Sequence, residues 1–141
     1  MIKTFRIFGA GEWGLAVANH LSCLNNQVEV FLRDDNKVNE YNESLFYKGL
    51  NLSFNKNIIF RKLTDLNHLS SNGDNFNIIA SSSSGFTDII STYNIYFKSC
   101  ESIIWLTKGL DHSKGLLFHE IIDKVLSPNI KKCIISGPSF A

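Results

Sequence analysis

A run of three glycines at G-x-G-x-x-G spacing, Gly9-Ala10-Gly11-Glu12-Trp13-Gly14, constrains this chain more than any other feature. It follows a short β-rich stretch, Thr4 to Phe8. A helical pattern begins directly after it, with Val17, Ala18, Leu21 and Leu24 recurring at helical spacing. Asn25-Asn26-Gln27 closes that helix, and Val28-Glu29-Val30-Phe31-Leu32 alternates as a second strand. Strand, glycine turn, helix and strand together occupy roughly 30 residues, the length of one βαβ unit. In that context the first glycine permits a tight turn, and the second lets a pyrophosphate approach the backbone. The third lets the helix pack closely against the sheet. The helix N-terminus then offers unpaired N–H groups and a partial positive charge to the phosphates.

The alternation continues along the chain. Asp35 to Phe46 is expected to form a helix packed through Val38, Tyr41 and Leu45, and residues 47–57 read as irregular. Ile58-Ile59-Phe60 offers a third strand, Leu63 to Leu69 a single turn or short helix, and Ser70 to Asn75 a polar loop. The second half begins with a strand at Phe76 to Ala80, a turn at Ser81 to Gly85 and an amphipathic segment from Thr87 to Phe97. A strand at Ile103 to Leu106 and a turn at Lys108-Gly109-Leu110 follow. Residues 115–126 show a strong helical pattern, with Leu117, Ile121 and Val125 on one stripe and a Glu120–Lys124 pair on the other. Ser127-Pro128-Asn129 stops that helix, and Cys133-Ile134-Ile135 reads as a final strand leading into Ser136-Gly137-Pro138-Ser139-Phe140-Ala141. Strands alternating with helices imply right-handed crossovers. The expected fold is therefore α/β: a doubly wound, mostly parallel Rossmann-fold sheet with helices on both faces. Ligands of such sheets bind beyond the carboxyl ends of the strands, which directs attention to the turns at Gly9, Ser81, Lys108 and Gly137.

Composition narrows the partners. A net charge of +1 and scattered Lys and Arg give no field to recruit nucleic acid or an anionic membrane. No apolar run approaches membrane-spanning length, and the N-terminus is too short and too charged for a signal peptide. Cys23, Cys100 and Cys133 lie far apart with no metal-ligand spacing, so no metal is expected. They are expected to be small buried hydrophobes, which fits a reducing, cytoplasmic setting. His20, His68, His112 and His119 share no spacing that suggests a metal or a triad, and the serines at 81–84 form no nucleophile elbow. Those serines are read as small polar walls of a cofactor cleft.

The end of the second strand bears on the cofactor. Arg33 and Asp34 follow Leu32, nineteen residues and more beyond Gly14. An acid there binds the ribose 2′-hydroxyl of NAD, whereas an arginine pairs with the 2′-phosphate of NADP. Both are present, so the cofactor reads as NAD or NADP, with the arginine leaning toward NADP tolerance. Glu12 lies inside the phosphate turn, where a carboxylate pointing inward would repel a pyrophosphate; it is expected to point outward.

Several segments together resemble the bacterial-type NAD(P)-dependent glycerol-3-phosphate dehydrogenases. Gly9-Ala10-Gly11-Glu12-Trp13-Gly14 is similar to that family's GAGSWG loop, and Val30-Phe31-Leu32-Arg33 to its second-strand ending. Asn57-Ile58 through Thr64-Asp65-Leu66 resembles the stretch after its YLPG loop. Thr107-Lys108-Gly109-Leu110 resembles its TKG turn, and Ser136-Gly137-Pro138-Ser139-Phe140-Ala141 its SGPSFA segment. The resemblance implies hydride transfer between NAD(P)H and dihydroxyacetone phosphate, giving sn-glycerol 3-phosphate. It implies cofactor contacts from Trp13, Arg33, Lys108 and Ala141, which join the phosphate turn Gly9, Gly11, Glu12 and Gly14 and the strand-end Asp34 as expected cofactor-binding residues. Substrate contacts would come from Lys108, Gly137 and Ser139, with Lys108 the catalytic candidate. An ammonium there could hold a phosphorylated substrate or polarise its carbonyl.

The chain also departs from the family pattern. Glu12 replaces a serine, Ser81-Ser82-Ser83 stands where the family has VPS, and Phe46-Tyr47-Lys48-Gly49 where it has YLPG. The family's second, helical domain carries the general base, and this chain of 141 residues stops at Ala141. The expected organisation is an NAD(P)-binding domain over residues 1–136, with 137–141 opening the segment toward a missing substrate domain. Alone it is expected to bind cofactor weakly without turnover. Self-association into a homo-oligomer, or association with the missing domain, would cover the apolar surface so exposed. The alternatives are a stand-alone NAD(P)-binding or sensing module, or a domain of another superfamily dehydrogenase.

Overall fold

The computed structural model describes residues 2–69 and 75–136. Its main sheet joins β1 (Thr4–Phe8), β2 (Gln27–Leu32), β5 (Ile58–Lys62), β6 (Asn75–Ile79), β7 (Ser102–Trp105) and β8 (Lys131–Ile134). The spatial order is β5-β2-β1-β6-β7-β8, and every pairing is parallel. Numbered within the sheet this is 3-2-1-4-5-6, the doubly wound order expected from the alternation. The chain leaves β1 in one direction and β6 in the other, so the switch point lies between those two strands.

Burial explains why the central strands β1, β2 and β6 carry apolar runs: each has a hydrophobic layer on both faces. Ile7, Val28, Val30 and Ile78 point to one layer, with Leu15 and Ala18 of α1 (Glu12–Cys23) and Val38 and Tyr41 of α2 (Asp35–Ser44). Their neighbours Phe8, Phe31 and Ile79 point to the other. There they meet α3 (Ser83–Thr92), α4 (Asn94–Lys98) and α5 (Phe118–Val125) through Phe86, Ile90, Phe97, Ile121 and Ile122. A polar chain crosses beneath this second layer. Arg6 donates to Glu29 at 2.8 Å and to the Tyr96 hydroxyl at 2.9 Å, and that hydroxyl donates to Asn77 at 2.7 Å. Burial pushes the Tyr96 hydroxyl up to about 12, against the opposing pull of the Arg6 guanidinium.

Four local expectations are corrected. Residues 47–57 are not all irregular: β3 (Phe46–Tyr47) and β4 (Leu52–Ser53) form an antiparallel hairpin around a short 3-10 turn at Lys48–Leu50. Asn51, at φ of 47°, provides the left-handed residue that closes this turn, and Leu45, at φ of 49°, ends α2 before it. The stretch Ser81–Gly85 is largely helix, because the Ser82 hydroxyl accepts from Gly85 N–H and caps α3. The buried face of α5 is Phe118, Ile121 and Ile122, while Leu117 is exposed. Leu117 is the N-cap residue, and Glu120 reaches back to accept from its N–H at 2.8 Å, a capping role in place of the expected pairing with Lys124. Only Cys100 among the cysteines is buried; Cys23 and Cys133 are exposed, one at a helix end and the other on the edge strand. Among the described residues, no helix is long and apolar enough to cross a membrane.

Candidate functional site

The glycine turn sits at the switch point. Gly9 has φ +119°, and a Cβ on it would stand 2.5 Å from the Ala80 carbonyl oxygen. The ends of β1 and β6 therefore meet with room only for a hydrogen atom. A Cβ on Gly14 would lie 2.9 Å from the Gly9 carbonyl oxygen and 3.0 Å from Ala80 Cβ, so the start of α1 rests directly on the turn. Gly11 is different, because a Cβ there meets nothing within 4 Å among the described residues. It occupies the N-cap position of α1 with no side-chain cap, which leaves the first helical N–H groups for an outside acceptor. A bare helix N-terminus beside open space fits a phosphate group.

Two cavities flank this turn and share Glu12, Trp13, Ala80, Ser81 and Ser82 as common walls. One, of about 490 Å³, runs from the glycine turn to the carboxyl end of β2 at Arg33 and Asp34, with Leu63 and Ile89 as apolar sides. The other, of about 510 Å³, is bounded by Trp13, Leu50, Leu106, Thr107 and Lys108. Ser81 and Ser82 wall both cavities and Ser83 the second, as small polar residues expected of a cleft. Glu12 is exposed and borders both cavities, so it is not simply turned away from the cleft.

Arg33 and Asp34 have distinct engagements. The Arg33 guanidinium lies 3.2 Å from Asp88 on α3, both largely exposed. Asp34 is the N-cap of α2, and its carboxylate accepts from Asn36 N–H at 3.0 Å and Lys37 N–H at 3.3 Å. Lys108 follows β7 on an exposed turn in which Gly109 adopts φ +85°. It lines the 510 Å³ cavity and a smaller one of about 130 Å³ formed with Ile134, Ile135 and Ser136. Gly137, Ser139 and Ala141 lie outside the described residues.

Sequence reasoning missed the anchor of the Lys108 loop. Asp111 is 3% exposed and accepts from Ser113 Oγ at 2.5 Å, from the N–H groups of Ser113 and Lys114 at 2.8 and 3.0 Å, and from Thr87 Oγ1 on α3. These donors, the hydroxyls of Ser113 and Thr87 foremost, hold its carboxyl well below the usual carboxylate range. The signal was present in the spacing Asp111-x-Ser113, an Asx-type turn. Leu50 reaches the cavity only because residues 46–53 fold as a hairpin, a short element that no periodicity in the sequence marks.

The strand order, the switch-point cleft and the bare glycine-framed helix define a nucleotide-binding domain of the doubly wound class. The chain belongs to the family described as NAD-dependent glycerol-3-phosphate dehydrogenase N-terminus, whose model matches residues 4–141. Among its relatives, the glycerol-3-phosphate dehydrogenase [NAD(P)+] of Ruthia magnifica subsp. Calyptogena magnifica is 31% identical over 146 residues, covering 100% of this chain and 41% of the relative. The protein of the same name from Legionella pneumophila (strain Paris) is 30% identical, covering 99% of this chain and 41% of its own length. The crystal structure of glycerol-3-phosphate dehydrogenase from Coxiella burnetii superposes with a TM-score of 0.80 at 23% identity, over 99% of this chain and 42% of that one, a likeness of fold. The chain thus spans 41% of the length of these two curated relatives.

Proposed function

We propose that this chain binds NAD or NADP in the cleft and forms the cofactor half of an sn-glycerol-3-phosphate dehydrogenase, which interconverts dihydroxyacetone phosphate and sn-glycerol 3-phosphate. One observation carries the reading: the uncapped N-terminus of α1, framed by Gly9 and Gly11, stands between two cavities with common walls, one reaching Arg33 and the other Lys108. The dinucleotide supplies or takes up hydride when bound. The N–H groups between Gly11 and Gly14 would hold its pyrophosphate, and Arg33 and Asp34 stand at the ribose end. Trp13, Leu106 and Thr107 would exclude water from the nicotinamide end, where the Lys108 ammonium attracts the substrate phosphate or stabilises charge on the ketone oxygen. Gly137, Ser139 and Ala141 complete the substrate and cofactor contacts in this reading.

Residues 1–136 form the NAD(P)-binding domain in this reading, and 137–141 open the segment toward a helical substrate domain that supplies the general base. Ile134 and Ile135, 58% and 45% exposed at the β8 edge, support a surface covered by that domain or by another copy of the chain. The setting is cytoplasmic and the partners are small molecules. Calorimetric titration with NADH and NADPH, beside the Gly11→Asp variant, tests the site. Binding by the wild type that vanishes in the variant supports it. No binding by the wild type at millimolar cofactor overturns it.

A further inference from the structure

Arg33 occupies the position at the end of β2 where an arginine meets a 2′-phosphate, yet its guanidinium is engaged. Its Nη2 reaches Asp88 Oδ2 at 3.2 Å, joining the end of β2 to α3 across 55 residues of sequence. Arg33, Leu63 and Ile89 line both the 490 Å³ cavity and an adjoining one of about 290 Å³, and Asp88 forms part of the wall of the latter. A carboxylate carried by α3 therefore stands against the same guanidinium that a 2′-phosphate would need. Lys37 also lines the larger cavity, which adds a second cation beside Arg33 at the ribose end of the cleft.

We propose that Asp88 is a specificity-determining residue that weights this cleft toward NAD and against NADP. A 2′-phosphate brings about two negative charges to the site, by analogy with other phosphomonoesters. It must share the Arg33 guanidinium with Asp88 or displace it, and in either case lies beside that carboxylate. A 2′-hydroxyl brings no charge and leaves the ion pair in place. Asp34 reinforces the asymmetry, because its carboxylate is already committed to the N-cap of α2 and cannot leave without uncapping that helix. NADP is tolerated through Arg33 and Lys37, while Asp88 sets how much worse it binds than NAD.

The inference rests on the dinucleotide reading above. The test is the ratio of Kd for NADPH to Kd for NADH, measured by calorimetry for the wild-type protein, Asp88→Asn, Arg33→Ala and the double variant. Asp88→Asn is expected to lower the ratio about fivefold at low ionic strength, with a smaller change at high salt. In the Arg33→Ala background the same substitution should shift it less. A ratio that is unchanged in Asp88→Asn overturns the inference alone, and so does a rise, which would mean that Asp88 presents Arg33 to the phosphate. Failure of the wild type to bind either dinucleotide overturns both the inference and the function it rests on. The Asp88 side chain is 62% exposed, so Asn should leave folding intact, with thermal unfolding as the check.

Discussion

Replacing Gly9 with alanine separates what the glycine turn does for the fold from what it does for a ligand. The added methyl would stand 2.5 Å from the Ala80 carbonyl oxygen and 2.8 Å from its carbon, both backbone atoms. They cannot rotate aside, because Ala80 N–H donates to Phe8 at 2.8 Å and Gly9 N–H to Phe31 at 2.9 Å, fixing both strand ends in the sheet. A φ of +119° adds strain for any L side chain. Conformational strain of about 1–3 kcal/mol and overpacking of about 1–3 kcal/mol predict a loss of about 2–6 kcal/mol. With a urea slope of about 2 kcal/mol per molar, the midpoint of unfolding should fall by about 1–3 M. Gly11→Ala is the matched control: its φ of −72° suits alanine and its Cβ meets no atom of the described residues. The weaker N-cap and the stiffer unfolded chain nearly offset, so stability should stay within about 0.5 kcal/mol. Dinucleotide affinity should nevertheless fall at least about tenfold, because the methyl intrudes where the phosphates approach. Equal destabilisation by the two variants, or an unshifted midpoint for Gly9→Ala, would refute the reasoning.

Two further variants probe the polar interior. The folded-state pKa of Asp111 is depressed, so its contribution to stability is present above the unfolded carboxylate value near 4 and is lost as pH falls below it. Asp111→Asn should lower the urea midpoint at pH 7 and flatten its dependence between about pH 4 and pH 2. An acid limb as steep as that of the wild type would contradict this. Tyr96→Phe removes the hydroxyl that accepts from Arg6 and donates to Asn77, leaving both without that partner, at a cost of about 1–3 kcal/mol. The Tyr96 pKa is raised in the fold, so its contribution holds below about pH 10 and is lost as pH rises toward about 12. Tyrosinate absorbance should show one group ionising near 12 that is missing in the variant.

Local pattern carried a great deal of this fold, and the reason is visible in particular residues. Phe8 and Phe31 follow Ile7 and Val30 on strands buried from both sides, so continuous apolar runs marked parallel strands before any pairing was known. The glycines declared a turn because backbone geometry and close approach are local demands. The α5 stripe was legible as helix, and Ile121 and Val125 do pack on the core; Leu117 leaves the stripe because it is the N-cap, a place that Glu120 fixes by reaching back to it. Other features depended on distances in space that no spacing along the chain encodes. The approach of Gly9 to Ala80, the reach of Arg33 to Asp88 and the anchoring of Asp111 on Thr87 arise only after the crossovers place α3 beside the ends of β1 and β2. Periodicity and turn chemistry act within a few residues, so the sequence by itself determined the elements and their order. Steric exclusion and charge act through space, so only the tertiary structure decided which of their ends meet in the cleft.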